Sequence, residues 1–180
     1  MFTQTFPVEV FTAQREFIRV MEANLDFIWW AESLITEETK ELAKADAENE
    51  GMEQVFKESA DLLYVVAGFY NTMPTNPHDL LSQEKNEALQ KIHDEAWLTL
   101  VNVSNKYRIT PEHIVEAFAI VHKSNMSKLD EDGKPIRRED GKILKGPNYV
   151  APDMSSVVKM WQDFTENLEQ QEQENAETTE

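Results

Sequence analysis

Met52-Glu-Gln-Val-Phe-Lys-Glu58-Ser-Ala-Asp61-Leu-Leu-Tyr-Val-Val-Ala-Gly-Phe-Tyr70 follows Gly51 and meets no proline before Pro74. Advanced by about 100° per residue, Val55, Phe56, Leu62, Leu63, Val66, Phe69 and Tyr70 form one broad apolar arc, with Val65 at its edge. The pattern predicts a long helix facing a core. Glu58 falls inside that arc, between Val65 and Leu62, and Asp61 falls at its margin. An ionised carboxylate in that setting costs roughly several kcal/mol unless something pairs with it.

The segment before it repeats the arrangement. A helix is expected from about Asn24 or Asp26 to Glu48, with Leu34, Ile35, Leu42 and Ala45 on one face, Glu38 in its middle and Glu41 at its edge. Glu38/Glu41 and Glu58/Asp61 are both acid-x-x-acid pairs, so each can present two carboxylates to one point. Two facing helices would gather all four around hard divalent cations, which prefer oxygen ligands. The spacing alone decides nothing, because Glu50/Glu53, Glu84/Glu87 and Glu166/Glu169 share it. The apolar setting singles out the two pairs, and no Lys or Arg lies on either arc. A solvated face, with Glu37 on Lys40 and Glu41 or Lys57 on Asp61, explains either pair alone better than both together.

Outward from these two helices the chain reads as more helix. Val8 to Glu22, Ser82 to Lys106, a helix capped by Thr110 with Pro111 at its first position and running to about Lys128, and a last one from Asp153 or Ser155 complete the set. Two Asp-Gly pairs break the pattern late in the chain, and Lys134 to Lys145 is expected to form a hairpin around Asp140-Gly141. The expected fold is all-α: a helical bundle with a small β-hairpin arm at about 130–150. One domain spans 1–170, and 171–180 reads as an acidic disordered tail, because it lacks apolar side chains.

Composition narrows the chemistry. With no Cys, any metal is held by oxygen or imidazole, and the four His show no metal-ligand spacing and read as surface or half-buried. A formal net charge of -17 disfavours nucleic acid, since affinity for phosphate backbones comes from Lys and Arg. No basic-then-apolar leader opens the chain and no apolar run is long enough to cross a membrane, so a cytoplasmic protein is expected. Glycine-rich phosphate loops are lacking, and the Glu-x-x-His that a di-iron bundle needs is missing from both pairs. The four Trp read as core or interface anchors.

Glu37-Glu38-Thr-Lys-Glu41-Leu42, a spacer, then Glu58-Ser-Ala-Asp61-Leu62-Leu63-Tyr64-Val65-Val66 resembles the signature of the MazG-like all-α NTP pyrophosphatases. Val121-His-Lys-Ser-Asn-Met-Ser-Lys128, with the later Asp-Gly-Lys and Lys-Gly-Pro-Asn-Tyr149, resembles one branch of that superfamily, which includes phosphoribosyl-ATP pyrophosphohydrolases. The resemblance covers roughly Leu34 to Pro152. It departs from the pattern at Pro77 to Lys106, longer than the connection expected there, which is read as an added helix affecting the oligomer interface or the nucleotide pocket.

The resemblance implies a Mg²⁺-dependent hydrolase, with Mn²⁺ as a substitute, that converts a nucleoside triphosphate to the monophosphate and pyrophosphate, in nucleotide-pool sanitation. The alternatives are a phosphoribosyl-ATP-type enzyme of biosynthesis and a non-catalytic helical interaction protein. Glu38, Glu41, Glu58 and Asp61 would be the metal ligands, Glu38 the catalytic base with Glu37 as its competitor, and Asn125 and Lys128 the phosphate contacts. Lys142 and Lys145, on an arm expected to be mobile, would add further phosphate contacts. Phe27, Ile28, Trp29 and Trp30 spread around the second helix, so at least a homodimer, or a dimer of dimers as in related enzymes, is expected.

Overall fold

The computed structural model describes residues 6–76 and 80–177. The fold is all-α with a small β arm. Among the described residues there are six helices: α1 (Val8–Val20), α2 (Phe27–Trp29, a π turn at Trp30–Ile35, then Thr36–Ala47), α3 (Met52–Thr72), α4 (Gln83–Lys106), α5 (Pro111–Met126) and α6 (Ser155–Glu177).

α3 is the axis of the bundle, packed by α1, α2, α5 and α6. Val55, Phe56, Leu62 and Leu63 are each 0–1% exposed, so the predicted arc is the core as far as Phe69; Tyr70, also expected on it, is 44% exposed. Side chains of this size, fully buried, each contribute about 1.5–3 kcal/mol. The far side of α3 is closed as well, because Gly68 lies under the indole of Trp30: a Cβ there would meet the ring at 2.2 Å.

Local chemistry sets the helix ends. The Asp26 carboxylate accepts from the Ile28 and Trp29 N–H groups at 2.9 and 3.4 Å, and Ser82 Oγ accepts from Lys85 N–H at 3.2 Å. At Thr110 the backbone N–H donates to Nδ1 of His113 at 3.0 Å, which draws that imidazole inside the bundle. His113 is 1% exposed, a correction to its expected place at or near the surface; His78 lies outside the described residues.

The π turn has no counterpart in the residue pattern. Thr36 N–H donates to the Ala31 carbonyl five residues back, and the Thr36 hydroxyl reaches the same oxygen at 3.2 Å. Trp30, 2% exposed, donates its indole N–H to the Asn24 carbonyl at 2.7 Å, so the subunit itself covers an aromatic expected to need a partner.

α4, which fills the unexpectedly long connection, lies against α2 and is tied to it by Lys85 on Glu32 and by Lys106 on Asp46 at 2.6 Å. α6 continues to Glu177 where disorder was expected; Glu, Gln and Ala are strong helix formers that prolong a helix begun at Ser155, and 171–176 are exposed.

The arm has two antiparallel bridges, Leu129 with Pro135 and Arg137 with Ile143. It is pinned where mobility was expected. Arg137 donates to the carbonyls of Met21 and Glu22 at 2.6 and 3.0 Å, satisfying the end of α1. Its return strand passes so close to α5's exit that a Cβ on Gly146 would lie 2.2 Å from the Leu129 carbonyl oxygen. No described helix is long and apolar enough to cross a membrane.

Candidate active site

α2 and α3 run side by side, which brings Glu38 of one against Glu58 and Asp61 of the other. One carboxylate oxygen from each lies within 4.8 Å of the others. Burial grades as the helix wheel orders it: Glu58 is 2% exposed, Glu38 and Asp61 are half-buried, and Glu41 is exposed. Glu41 stands outside the group of three, although its charge raises the pKa of both Glu38 and Glu58.

Crowding acids at low solvent exposure disfavours their ionised forms. The Glu38 carboxyl is pushed up to about 8, by burial first and then by Asp61, Glu41 and Glu58. Glu58 is also raised by burial, against the pull of Lys57. That lysine was expected to be off the arc, and its backbone is. Its long stem nevertheless carries the ammonium back to Glu58 Oε1 at 2.8 Å and Asp61 Oδ2 at 3.0 Å. Burial works against the Lys57 ammonium, but Asp61 and Glu58 outweigh it and hold its pKa up. Gln54 donates to the same Oε1 of Glu58.

Glu58 Oε2 is buried and has no hydrogen-bond partner among the described residues. A carboxylate oxygen left in that state is costly. Three carboxylates on two rigid helices, one with an orphaned oxygen, fit a hard divalent cation, and Glu38, Glu58 and Asp61 are the residues that could hold it.

Glu38 and Asp61 edge a cavity of about 90 Å³. Asn125, Lys128 and Lys142 line it with Glu38 and Asp61, and Phe17, Trp29, Trp30 and Tyr64 form its aromatic wall. Asn125 is 7% exposed and shares a hydrogen bond with the Tyr64 hydroxyl, which also meets His122 Nδ1 at 3.0 Å. Burial pushes the Lys128 pKa down, while Asp61 and Glu38 oppose the shift.

Sequence reasoning placed Trp29 and Trp30 as packing anchors; they pack, and they also wall the cavity. It also left the two serines of Ser124-Asn-Met-Ser127 without a role. Ser124 Oγ donates to the Val150 carbonyl at 2.7 Å and Ser127 Oγ accepts from the Val150 N–H at 2.8 Å, so they hold the far end of the arm. Only backbone partners remote in sequence reveal this, and no local pattern signals them.

The lysines of the arm separate. Lys142 bridges both oxygens of Glu37 at 2.8 Å, which closes the arm over the cavity and occupies the alternative base. Lys145 is exposed, with its ammonium 4.6 Å from the centre of the Tyr149 ring, and does not line the cavity. No residue of α4 lines it either.

The sequence profile of the phosphoribosyl-ATP pyrophosphohydrolase family matches residues 15–88, a span that contains Glu38, Glu41, Glu58 and Asp61 and ends before Asn125 and Lys128. No curated protein and no solved structure matches the chain. Pyrophosphohydrolases of this superfamily are typically divalent-metal dependent, in keeping with the acidic cluster. Over residues 15–88, less than half of its length, the chain is therefore similar to the phosphoribosyl-ATP pyrophosphohydrolase family, which belongs to the MazG-like all-α NTP pyrophosphatase superfamily of acid-anhydride hydrolases.

Proposed function

We propose that the protein hydrolyses nucleoside triphosphates, ribo or deoxy, between the α and β phosphates, giving the monophosphate and pyrophosphate. One observation carries this reading: the cavity is divided between an aromatic wall and a charged end where Glu38 and Asp61, with Glu58 close behind them, face an amide and two lysines. Apolar rings suit a base and sugar, and the charged end suits a polyanion bridged by a cation.

Glu38, Glu58 and Asp61 would hold Mg²⁺, or Mn²⁺ in its place, with Glu41 adding charge from the margin. When bound, the ion supplies neutralisation of phosphate oxygens and polarisation of the α phosphorus. The chain's own groups do the rest. Asn125 donates its amide to a phosphate oxygen, and Lys128 offers a partly desolvated ammonium. Glu38 accepts the proton of the attacking water, since cations among the acids favour its ionised form over the protonated one.

A cavity of about 90 Å³ falls short of the roughly 300 Å³ that small-molecule sites begin at. Lys142 therefore leaves Glu37 for the incoming phosphates, and the arm opens with it. Lys145 lies further out and would contact only the terminal phosphate.

The family match favours a second substrate, phosphoribosyl-ATP, cleaved at the same bond. A panel of NTPs, dNTPs and phosphoribosyl-ATP with Mg²⁺, scored for pyrophosphate against orthophosphate, tests both. Pyrophosphate is the expected product from every active substrate; orthophosphate with a diphosphate would overturn the reaction class. Activity on phosphoribosyl-ATP alone would select the second reading.

Self-association belongs to the same proposal. α4 leaves Leu98 61% exposed, and an apolar hollow of about 490 Å³ lined by Phe6, Trp97, Leu100, Val101, Val115 and Met160 shares no residue with the cavity at the acids. Light scattering is expected to give at least twice the 20.8 kDa of one chain at micromolar concentration; a single-chain mass would discard it.

A further inference from the structure

Lys57 is an odd neighbour for a cation site. Its ammonium sits between Glu58 Oε1 and Asp61 Oδ2, at 2.8 and 3.0 Å, on two of the three acids that converge. The contacts are incomplete as a structural ion pair. Gln54 and Lys57 both spend their donors on Oε1, while Glu58 Oε2 stays buried and unpartnered. One positive charge thus faces three acids and leaves an acceptor empty, whereas a divalent ion brings two charges and coordinates oxygens directly. The two cannot coexist at that spot, because like charges a few ångströms apart repel at low solvent exposure. Lys57 has somewhere to go, since its side chain is 32% exposed and its stem is flexible.

We propose that the Lys57 ammonium and the divalent cation are alternative occupants of the Glu58–Asp61 position, so that Lys57 neutralises the acids in the metal-free protein and is displaced on binding. The inference rests on the metal-site reading above and goes beyond it by assigning an intrinsic competitor. Lys57 is then a positioning residue: without metal it offsets the charge of Glu58 and Asp61 beside Glu38 of α2, and it weakens cation affinity by the work of its own displacement.

Two substitutions with opposite expected signs test this. Lys57→Met keeps most of the stem and removes the charge, so Mn²⁺ affinity, followed by the EPR signal of the free ion, should rise about tenfold or more. The melting temperature of the metal-free variant should fall below wild type, and the gap closed by Mn²⁺ should widen. Lys57→Arg should bind Mn²⁺ more weakly than wild type, because a guanidinium grips two carboxylates in a fixed fork. Unchanged or weaker Mn²⁺ binding in Lys57→Met, with wild-type binding intact, would overturn the exchange and leave the metal site standing. Absence of Mn²⁺ binding in both wild type and Lys57→Met, with neither melting temperature responding, would overturn the metal site itself. Should Lys57→Met fail to fold, Lys57→Arg decides alone: affinity equal to or above wild type would overturn the proposal.

Discussion

Glu58→Gln is expected to lower Mg²⁺-dependent turnover by at least about 10³-fold while raising the melting temperature of the metal-free protein. Both effects come from one oxygen. Glu58 is 2% exposed, and its Oε2 is buried without a partner, so the metal-free fold carries a charge that it only half compensates. The amide has the same shape and no charge to desolvate, which favours the variant when metal is absent. It cannot give a cation an anionic ligand, so with saturating Mg²⁺ the wild type gains binding free energy that the variant forfeits, and the ordering of melting temperatures shrinks or reverses. Asp61→Asn should lose activity comparably. Glu41→Gln should lose less, because Glu41 is exposed and reaches the site only through its charge. Glu50 is paired with Lys44 at 2.9 Å and Glu84 is exposed on α4, so glutamine at either should be near neutral. Calorimetry and steady-state kinetics on the same preparations read both quantities. Equal losses in the controls, or equal melting shifts with and without metal, would show that Glu58 is not the buried ligand.

The second large effect is on pH. Glu38 titrates near 4.5 in the unfolded chain and at about 8 in the metal-free fold. The fold thus prefers the protonated acid. Its contribution is fully present below about pH 4.5 and is lost as pH rises through about 8. Relative to Glu38→Gln, whose amide does not titrate, metal-free wild type should lose stability across that window, on the order of a few kcal/mol for a half-buried group. The comparison with the variant removes other titrations, such as that of His113, whose pKa burial lowers. Mg²⁺ should flatten the difference, since a cation among the acids favours the ionised form. Thermal melts of both proteins from pH 5 to 9, in chelator and in Mg²⁺, measure it. Parallel pH profiles in chelator would mean that Glu38 is solvated in the metal-free fold.

What could be read from the chain was what depends on periodicity. The arc on α3 located the core and ranked Glu58 deeper than Asp61; the arc on α2 did the same for Glu38 and Glu41. Cap chemistry at Asp26, Ser82 and Thr110 fixed helix starts, because it is confined to three or four neighbouring residues. What escaped depends on reach or on distant partners. The Lys57–Asp61 pair was legible from its spacing, but the reach of the same stem to the buried Glu58 was not. Arg137 and Lys142 pin the arm to atoms more than 100 residues away. The imidazole of His113 is drawn inside by a backbone N–H three residues earlier, a use of histidine that composition does not announce.

The π turn at Trp30–Ile35 sets the rotational phase between the two halves of α2. A widened turn accommodates about one residue more than an ordinary one, equivalent to roughly 100° of rotation about the axis. Just before it and at its first residue stand Trp29 and Trp30 of the cavity wall; downstream stand Glu37, Glu38 and Glu41. Winding the same residues as a regular α-helix, with the extra one no longer absorbed, would swing one set by about 100° relative to the other. Either the rings would leave the cavity or the carboxylates would leave α3. In this helix the distance between two functional groups matters less than their angular frame, and one residue of length holds that frame.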